Sequence, residues 1–385
     1  MAIDSEKSLE NKSKFSIELT TTQACNFKCE YCFENDCQVP DDNRLSKEID
    51  YLVLSLKKLF LDEWFTSRFG STQLTFWGGE PSLNMVFIER ICNEFESYDN
   101  VGFYIYTNGS RIKDLLPILI RMKDKSIGSM PKFTVQLSYD GDPVHGMRRT
   151  TKDDSSSTEL VREAIDLLHE NDIKYSLKST LSHKDFKYLP EIWEDIYFLY
   201  EAYGSKINYS VTIDYHNIEV GKYLNNLEEA LIKVAKKEYV FYKEEGRFLS
   251  NIFSSNKKFC SAGKNMITVD VDGKLYLCHG CCYSDCASDF CTGSLFNTDL
   301  IEPIKHNYEI FYKTNKSVDE CERCVAISCL RCNVKKYEMS SKDIFLERWH
   351  DYPCQEELCL YYKTTGRIGR ALIELIEEDK LWDAH

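Results

Sequence analysis

Residues 25–32 read CNFKCEYC, which places Cys25, Cys29 and Cys32 within eight positions, just after a β-rich run. A structural zinc site normally closes its shell with four ligands, and a simple electron-transfer iron–sulfur cluster is held by four thiolates. Three thiolates leave one metal position for something other than protein. A second set lies far downstream: of 17 cysteines, twelve fall between Cys260 and Cys359. Stable disulfides are disfavoured in a reducing compartment, so this density points to metal or catalysis. Cys92, in the helix-like MVFIERICNEF, reads as a small core residue, and Cys37, in a polar loop, as a bystander.

Such residues need a scaffold. Strand-like runs at residues 15–21, 73–77, 101–106, 133–137, 173–178 and 207–213 alternate with helical periodicity at 45–65, 83–95, 112–122, 158–170, 189–203 and 227–245. Six strand–helix pairs predict an α/β fold with a parallel sheet and right-handed crossovers. The expected form is a partial (β/α)6 TIM-type barrel, with its chemistry at the strand C-terminal ends. The motifs fall there. CNFKCEYC follows the first strand, Gly78-Gly79-Glu80-Pro81 the second, Thr107-Asn108-Gly109 the third and Ser138-Tyr139-Asp140-Gly141 the fourth. Beyond about Asn251 the helical periodicity fades and cysteines crowd in, and DVDGKLYLC reads as a hairpin with an Asp-Gly turn. The expected organisation is a tail at 1–13, the barrel at 14–250, a small cysteine-rich domain at 251–363 and a helix at 364–385, its amphipathic pattern at 367–378.

Composition narrows the class. The 385 residues are 29% charged and 43% hydrophobic, the balance of an ordinary globular protein. No apolar run approaches the roughly 18 residues of a membrane span, and the polar N-terminus lacks a signal core, so the expected location is cytoplasmic. A net charge of −14 without a basic stripe argues against nucleic acid. An acidic surface suits a basic peptide or protein partner, and equally suits plain solubility.

The C-x3-C-x2-C spacing, with Tyr31 before the last cysteine, resembles the signature of the radical S-adenosylmethionine (SAM) enzymes. The resemblance implies a [4Fe–4S] cluster on Cys25, Cys29 and Cys32, with SAM chelating the fourth iron. WGGEPSL resembles the family's GGE segment, which implies that Gly78 and Gly79 bring backbone close to the SAM amino group and that Glu80 faces the ammonium. QLSYDGDPVHGMRR resembles the S-x-D-G segment and its following His and Arg. By that likeness Ser138 contacts the ribose and Arg149, or the adjacent Arg148, pairs with the carboxylate; Asn108 lies near the cofactor. Here Asp142 follows Gly141 and proline is delayed to Pro143, a departure from the commoner form.

The downstream cysteines resemble a SPASM domain, a module that binds auxiliary [4Fe–4S] clusters in peptide- and protein-modifying radical SAM enzymes. Its central block usually runs C-x2-C-x5-C-x3-C; here Cys321, Cys324, Cys329 and Cys332 run C-x2-C-x4-C-x2-C. The resemblance implies one auxiliary cluster on Cys321, Cys324, Cys329 and Cys359, or Cys354 in place of Cys359. It implies another on Cys260, Cys278 and Cys332, with a fourth ligand from Cys281, Cys282, Cys286 or Cys291, or an open iron. That makes three [4Fe–4S] clusters in all; zinc at the later cysteines is the alternative.

The implied reaction is reductive cleavage of SAM to a 5′-deoxyadenosyl radical, followed by oxidation of a peptide or protein side chain, as in the maturation of ribosomal peptides by crosslinking or thioether formation. Auxiliary clusters would take up the second electron. Formylglycine formation, as in anaerobic sulfatase-maturing enzymes, is the alternative; His279 then stands where those enzymes have the Asp base. Modification of a small metabolite and a non-catalytic Fe–S or zinc protein are further alternatives. Implied partners are the peptide or protein substrate and a flavodoxin- or ferredoxin-type electron donor. With Cys25 so early, no N-terminal leader-binding domain is expected; a separate leader-binding protein is the other route.

Overall fold

The computed structural model describes residues 13–32, 34, 43–204, 207–214, 218–254, 260–282, 287–313, 323–327, 329 and 356–383. Cys37, Cys286, Cys321, Cys332 and Cys354 lie outside these residues.

Six parallel strands stand side by side in chain order. They are β1 (Ser13–Thr22), β3 (Phe69–Gly78), β4 (Val101–Thr107), β5 (Phe133–Ser138), β7 (Tyr175–Leu181) and β8 (Tyr209–Ile213), and each pairs with the next. Two short strands, β2 (Phe27–Cys29) and β6 (Arg149–Thr151), form a separate antiparallel pair. The sheet continues past β1. There β9 (Met266–Val269) runs parallel to it, and β10 (Lys274–Tyr276) and β11 (Cys291–Ser294) follow antiparallel. The hairpin read from DVDGKLYLC is therefore present, turning at Gly273 with φ +79°, and the cysteine-rich segment shares one nine-stranded sheet with the barrel strands.

The strand pattern FSIELTT explains the two faces. Phe15, Ile17 and Leu19 point out and are essentially buried beneath the helices, as are Leu74, Phe76, Phe103, Ile105, Val135 and Leu177. The alternate positions, Ser16, Glu18 and Thr20, point the other way, because successive side chains on a strand alternate. The inner face is thus polar. It is also concave. Lys178 on β7 and Glu18 on β1 are four strands apart, about 19 Å on a flat sheet at ~4.8 Å per strand, yet they are near enough for the Glu18 charge to act on Lys178 through space. The sheet curls without closing: among the described residues β8 and β11 are its edges.

Helices α1 (Ile49–Leu61), α2 (Met85–Phe95), α3 (Ile112–Met122), α4 (Thr158–Glu170), α5 (Leu189–Tyr203) and α6 (Leu224–Glu245) cover the outside. The helix expected at 45–65 is broken into shorter pieces, because the Asp62 side chain accepts from Phe65 N (2.9 Å) and caps a new turn. The closing helix, α8 (Glu356–Asp383), begins eleven residues earlier than its amphipathic pattern suggested. Gly366 and Gly369 obscured it in the sequence. A Cβ at Gly366 would stand 2.4 Å from Val325 O and one at Gly369 would stand 2.5 Å from Ile327 Cδ1, so both glycines admit the 325–327 segment against the helix. Helix α7 (Ile301–Lys313) lies between α6 and α8 in the chain.

Candidate active site

The loop carrying Cys25, Cys29 and Cys32 is a hub on which the strand-end segments converge. Gly79 N donates to Thr22 O (3.0 Å) and Glu80 N to Ala24 O (2.9 Å), so the GGE segment is laid along the residues leading to Cys25. A Cβ at Gly78 would fall 2.1 Å from Thr22 O and one at Gly79 2.4 Å from Ala24 O; no other residue type permits this approach. Asn108 Nδ2 donates to Asn26 Oδ1 (3.0 Å), and Asn26 Nδ2 to Ser110 Oγ (2.8 Å), which fastens the third loop. Cys29 pairs with Arg149 across β2 and β6, and Tyr31 OH donates to Asp140 Oδ2 (2.5 Å), which fastens the fourth.

Glu80 is 1% exposed and joins two of these segments. Oε1 accepts from Ser82 N, Ser82 Oγ and Thr107 Oγ1 at 3.0, 2.5 and 2.7 Å, and Oε2 accepts from Asn108 N at 2.7 Å. Burial lifts its carboxyl above the usual range, and these four donors pull the other way. The carboxylate that the sequence aimed at a ligand ammonium is engaged by the protein itself.

The two arginines are engaged as well. Arg149 Nε and Nη2 grip Asp140 at 2.8 and 3.3 Å, its guanidinium lies 5.1 Å from the Tyr31 ring centre, and Nη1 reaches Cys29 Sγ at 3.9 Å. Asp140, fully buried, also accepts from Thr180 N (2.9 Å). Arg148 binds Asp185 Oδ1 through Nε and Nη2 (2.9 and 2.8 Å), and Glu30 through Nη1. His145 is a neutral link. Burial depresses its pKa to about 4, Nδ1 accepts from Asp140 N (3.1 Å) and Nε2 lies 3.1 Å from Ser157 Oγ.

Deeper in the concave face, the C-terminal segment delivers His279. Its Nδ1 lies 2.9 Å from Glu18 Oε1, while Glu18 Oε2 accepts from His279 N (3.0 Å) and Thr268 Oγ1 (2.6 Å). Burial opposes charge on both partners, but their mutual attraction outweighs it, holding Glu18 below and His279 above its ordinary pKa. The imidazole packs on Trp77 (4.7 Å between ring centres) and faces Tyr106 (6.5 Å), with 38% of the side chain still accessible. With Nδ1 fixed by Glu18, Nε2 is the ring nitrogen left for a substrate. Glu34 stands near both Cys32 and His279; burial raises it to about 8, and Oε1 has no hydrogen-bond partner. Ser138 ends β5 half-buried, in register with Lys178. Glu18, Glu34 and Lys178 were missed in the sequence. The signal for Glu18 and Lys178 was a charged residue at an alternate position of an otherwise apolar strand.

The downstream thiols form a satellite core. Cys260, Cys278, Cys281, Cys282 and Cys291 gather with Ala262, Tyr276, Leu277 and Phe290, and Cys278 Sγ lies 3.6 Å from Cys281 Sγ. Cys324, Cys329 and Cys359 are half-buried elsewhere, Cys324 O accepting from Arg370 Nη2 (3.2 Å) on α8. Among the described residues no cysteine is joined in a disulfide.

The donor set suits an iron–sulfur group. Burial pushes the Cys25 and Cys32 thiols up to about 12 and raises Cys29, which Arg149 partly offsets; Cys25 and Cys32 also feel the Cys29 sulfur. Thiols held neutral this way become thiolates when a cationic group arrives. Among the described residues no three His, Cys, Asp or Glu side chains sit close enough to hold a single metal ion. No described helix is long and apolar enough to cross a membrane.

Comparison with known proteins agrees. Residues 19–184 match the Radical SAM superfamily. The cysteine-type anaerobic sulfatase-maturating enzyme of Clostridium perfringens is 25% identical over 367 residues, 87% of this chain and 91% of that one. The radical SAM cyclopropyl synthase TigE of Paramaledivibacter caminithermalis is 22% identical over 291 residues, 69% of this chain; the chain spans only 57% of that relative's length. The solved structure of native anSMEcpe with bound AdoMet and Kp18Cys peptide shares the fold, with a TM-score of 0.66 at 17% identity over 95% of this chain and 99% of that one. Residues 19–184 are therefore similar to the Radical SAM superfamily, and the chain is similar to relatives named as a sulfatase-maturating enzyme and as a radical SAM cyclopropyl synthase.

Proposed function

We propose that this protein cleaves SAM reductively and oxidises a side chain of a peptide or protein substrate, with auxiliary clusters as electron acceptors. The observation that carries the reading is the convergence of three strand-end segments on the cysteine loop, with His279 brought from the C-terminal segment to the same concave face. Cys25, Cys29 and Cys32 would hold the [4Fe–4S] cluster, and the SAM on it supplies a hydrogen-abstracting carbon radical. Gly78, Gly79, Asn108, Ser138, Tyr31 and Arg149 shape the place where SAM would sit, and Glu80 and Asp140 hold that shape. In its neutral form, with Nδ1–H held by Glu18, His279 would accept on Nε2 the proton that the substrate loses; because Glu18 favours the charged ring, this role belongs to the fraction of protein in which the ring is neutral. Trp77 and Tyr106 flank the ring and leave part of it open. Cys260, Cys278 and Cys281, with Cys332, would serve one auxiliary cluster; Cys321, Cys324, Cys329 and Cys359 would serve the other. A flavodoxin- or ferredoxin-type protein is the proposed electron donor.

The test is anaerobic preparation, iron and sulfide analysis, and a dithionite-driven assay for 5′-deoxyadenosine. About twelve irons, four per cluster, with SAM cleavage is the expected result. Zinc at the downstream cysteines and no cleavage would sink the reading. Coverage of 91% of the sulfatase-maturating relative favours formylglycine formation as the second reading. Hydrazine trapping of an aldehyde on a cysteine-containing peptide separates it from crosslinking, which yields none.

A further inference from the structure

We infer that the Lys178 ammonium, rather than the Arg149 guanidinium, receives the methionyl carboxylate of SAM. The inference rests on the radical SAM reading and assigns one contact within it.

Lys178 occupies an inner position of β7. Its outward neighbours Leu177 and Ser179 are buried, whereas Ser176, Lys178 and Thr180 are partly open to the concave face. It stands in register with Ser138 on β5 and Ser210 on β8, so it lies beside the residue assigned to the ribose. The nearest ring is Tyr106, 6.0 Å from the ammonium, at the outer limit of a cation–π contact. Among the described residues no carboxylate pairs with it and no acceptor takes its protons.

The charges that face it are all committed. Glu18 is bound to Thr268 and His279. Arg149 is bound to Asp140, and Arg148 to Asp185 and Glu30. Enclosure depresses the Lys178 pKa, with Glu18 partly opposing. An ammonium enclosed without a counter-charge is costly to folding, and a blander explanation, a lysine snorkelling to solvent, leaves the absence of any partner in the mouth unaccounted for. Among the described residues, a carboxylate that comes to Ser138 meets one uncommitted cation beside it, Lys178. The two arginine forks that would normally take it are already filled by aspartates.

The test is equilibrium binding of S-adenosylhomocysteine, and of its decarboxylated counterpart, to anaerobically reconstituted holoprotein by titration calorimetry. Lys178→Met is expected to weaken S-adenosylhomocysteine by about 10- to 100-fold, the range for a hydrogen bond to a charged group, while the decarboxylated ligand binds within about two-fold of wild type. Lys178→Arg should restore most of the loss. The melting temperature of Lys178→Met should not fall, because the ammonium makes no bond in the protein; a merely structural lysine would lower it. Binding of both ligands unchanged in Lys178→Met, or weakened equally, overturns the inference while leaving the radical SAM reading intact. A wild-type protein that binds neither ligand overturns both.

Discussion

The two cysteine-rich regions are positioned by different means. Around Cys25, Cys29 and Cys32 each neighbouring element is tied in by backbone or buried polar bonds: Thr22 and Ala24 to Gly79 and Glu80, Asn26 to Asn108, Tyr31 to Asp140. These partners sit at the ends of strands whose outer faces share one large apolar core. Around Cys278 the thiols sit in a small cluster of Ala262, Tyr276, Leu277 and Phe290 at the edge of the sheet, moored to the barrel by β9 and Glu18. The first site is built by the fold. The second has too little apolar surface to be rigid alone, so metal bound there would add to folding energy.

The largest expected effect breaks the first site chemically and leaves its scaffold. Cys29→Ala should abolish 5′-deoxyadenosine formation in reconstituted protein, because one thiolate of three is lost. Its melting temperature should stay near wild type, since Cys29 is only half-buried. Residual cleavage near the wild-type rate would show that the loop is not the cluster site.

Metal removal separates the regions. In protein stripped of metal anaerobically, limited proteolysis should cut first in the satellite cluster, around Cys278 to Cys291, while the barrel persists. Equal resistance of both regions would mean that the satellite core stands without metal, and the contrast drawn above would be wrong.

Asp140→Asn attacks the scaffold of the first site. It keeps the shape but leaves the buried Arg149 charge uncompensated, a loss of about 3–5 kcal/mol, read by chemical denaturation. The mooring is weaker. Glu18→Gln should cost about 1–3 kcal/mol and expose residues 260–282 to faster hydrogen exchange, because the Glu18 carboxylate accepts all three of its hydrogen bonds from Thr268 and His279.

Much of this was legible in the sequence. The strand–helix alternation gave the six parallel strands in order, and the motifs do stand at their C-terminal ends, because turn and ligand residues punctuate an apolar pattern. The hairpin at Gly273 was legible for the same reason. What could not be read were the partners. That Asp140 would fill the Arg149 fork, or that Glu80 would turn inward to Ser82, Thr107 and Asn108, depends on distances across loops far apart in the chain. Strand periodicity did set Glu18 and Lys178 apart from the outward apolar positions, but only curvature of the sheet brings them to one space. The break at Asp62 and the length of α8 were hidden by local events, a cap in one case and two glycines serving close approach in the other.

The smallest expected effect sharpens the comparison most cheaply. Lys28 and Asp154 form an ion pair at 2.8 Å across the β2–β6 ribbon, beside Cys29 in sequence but with side chains 60% and 69% exposed. Solvent screens such a pair, and its contribution to stability is about 0–0.5 kcal/mol. Lys28→Ala should therefore leave both the denaturation midpoint and SAM cleavage unchanged. The neighbouring bonds that hold the ribbon, Glu30 N to Arg148 O (2.9 Å) and the buried Arg149–Asp140 pair, do not involve it. If Lys28→Ala instead lowered stability as far as Asp140→Asn does, the loop would be held from its surface rather than from the buried ends of the strands. The claim that the fold itself positions the first three thiols would then fail.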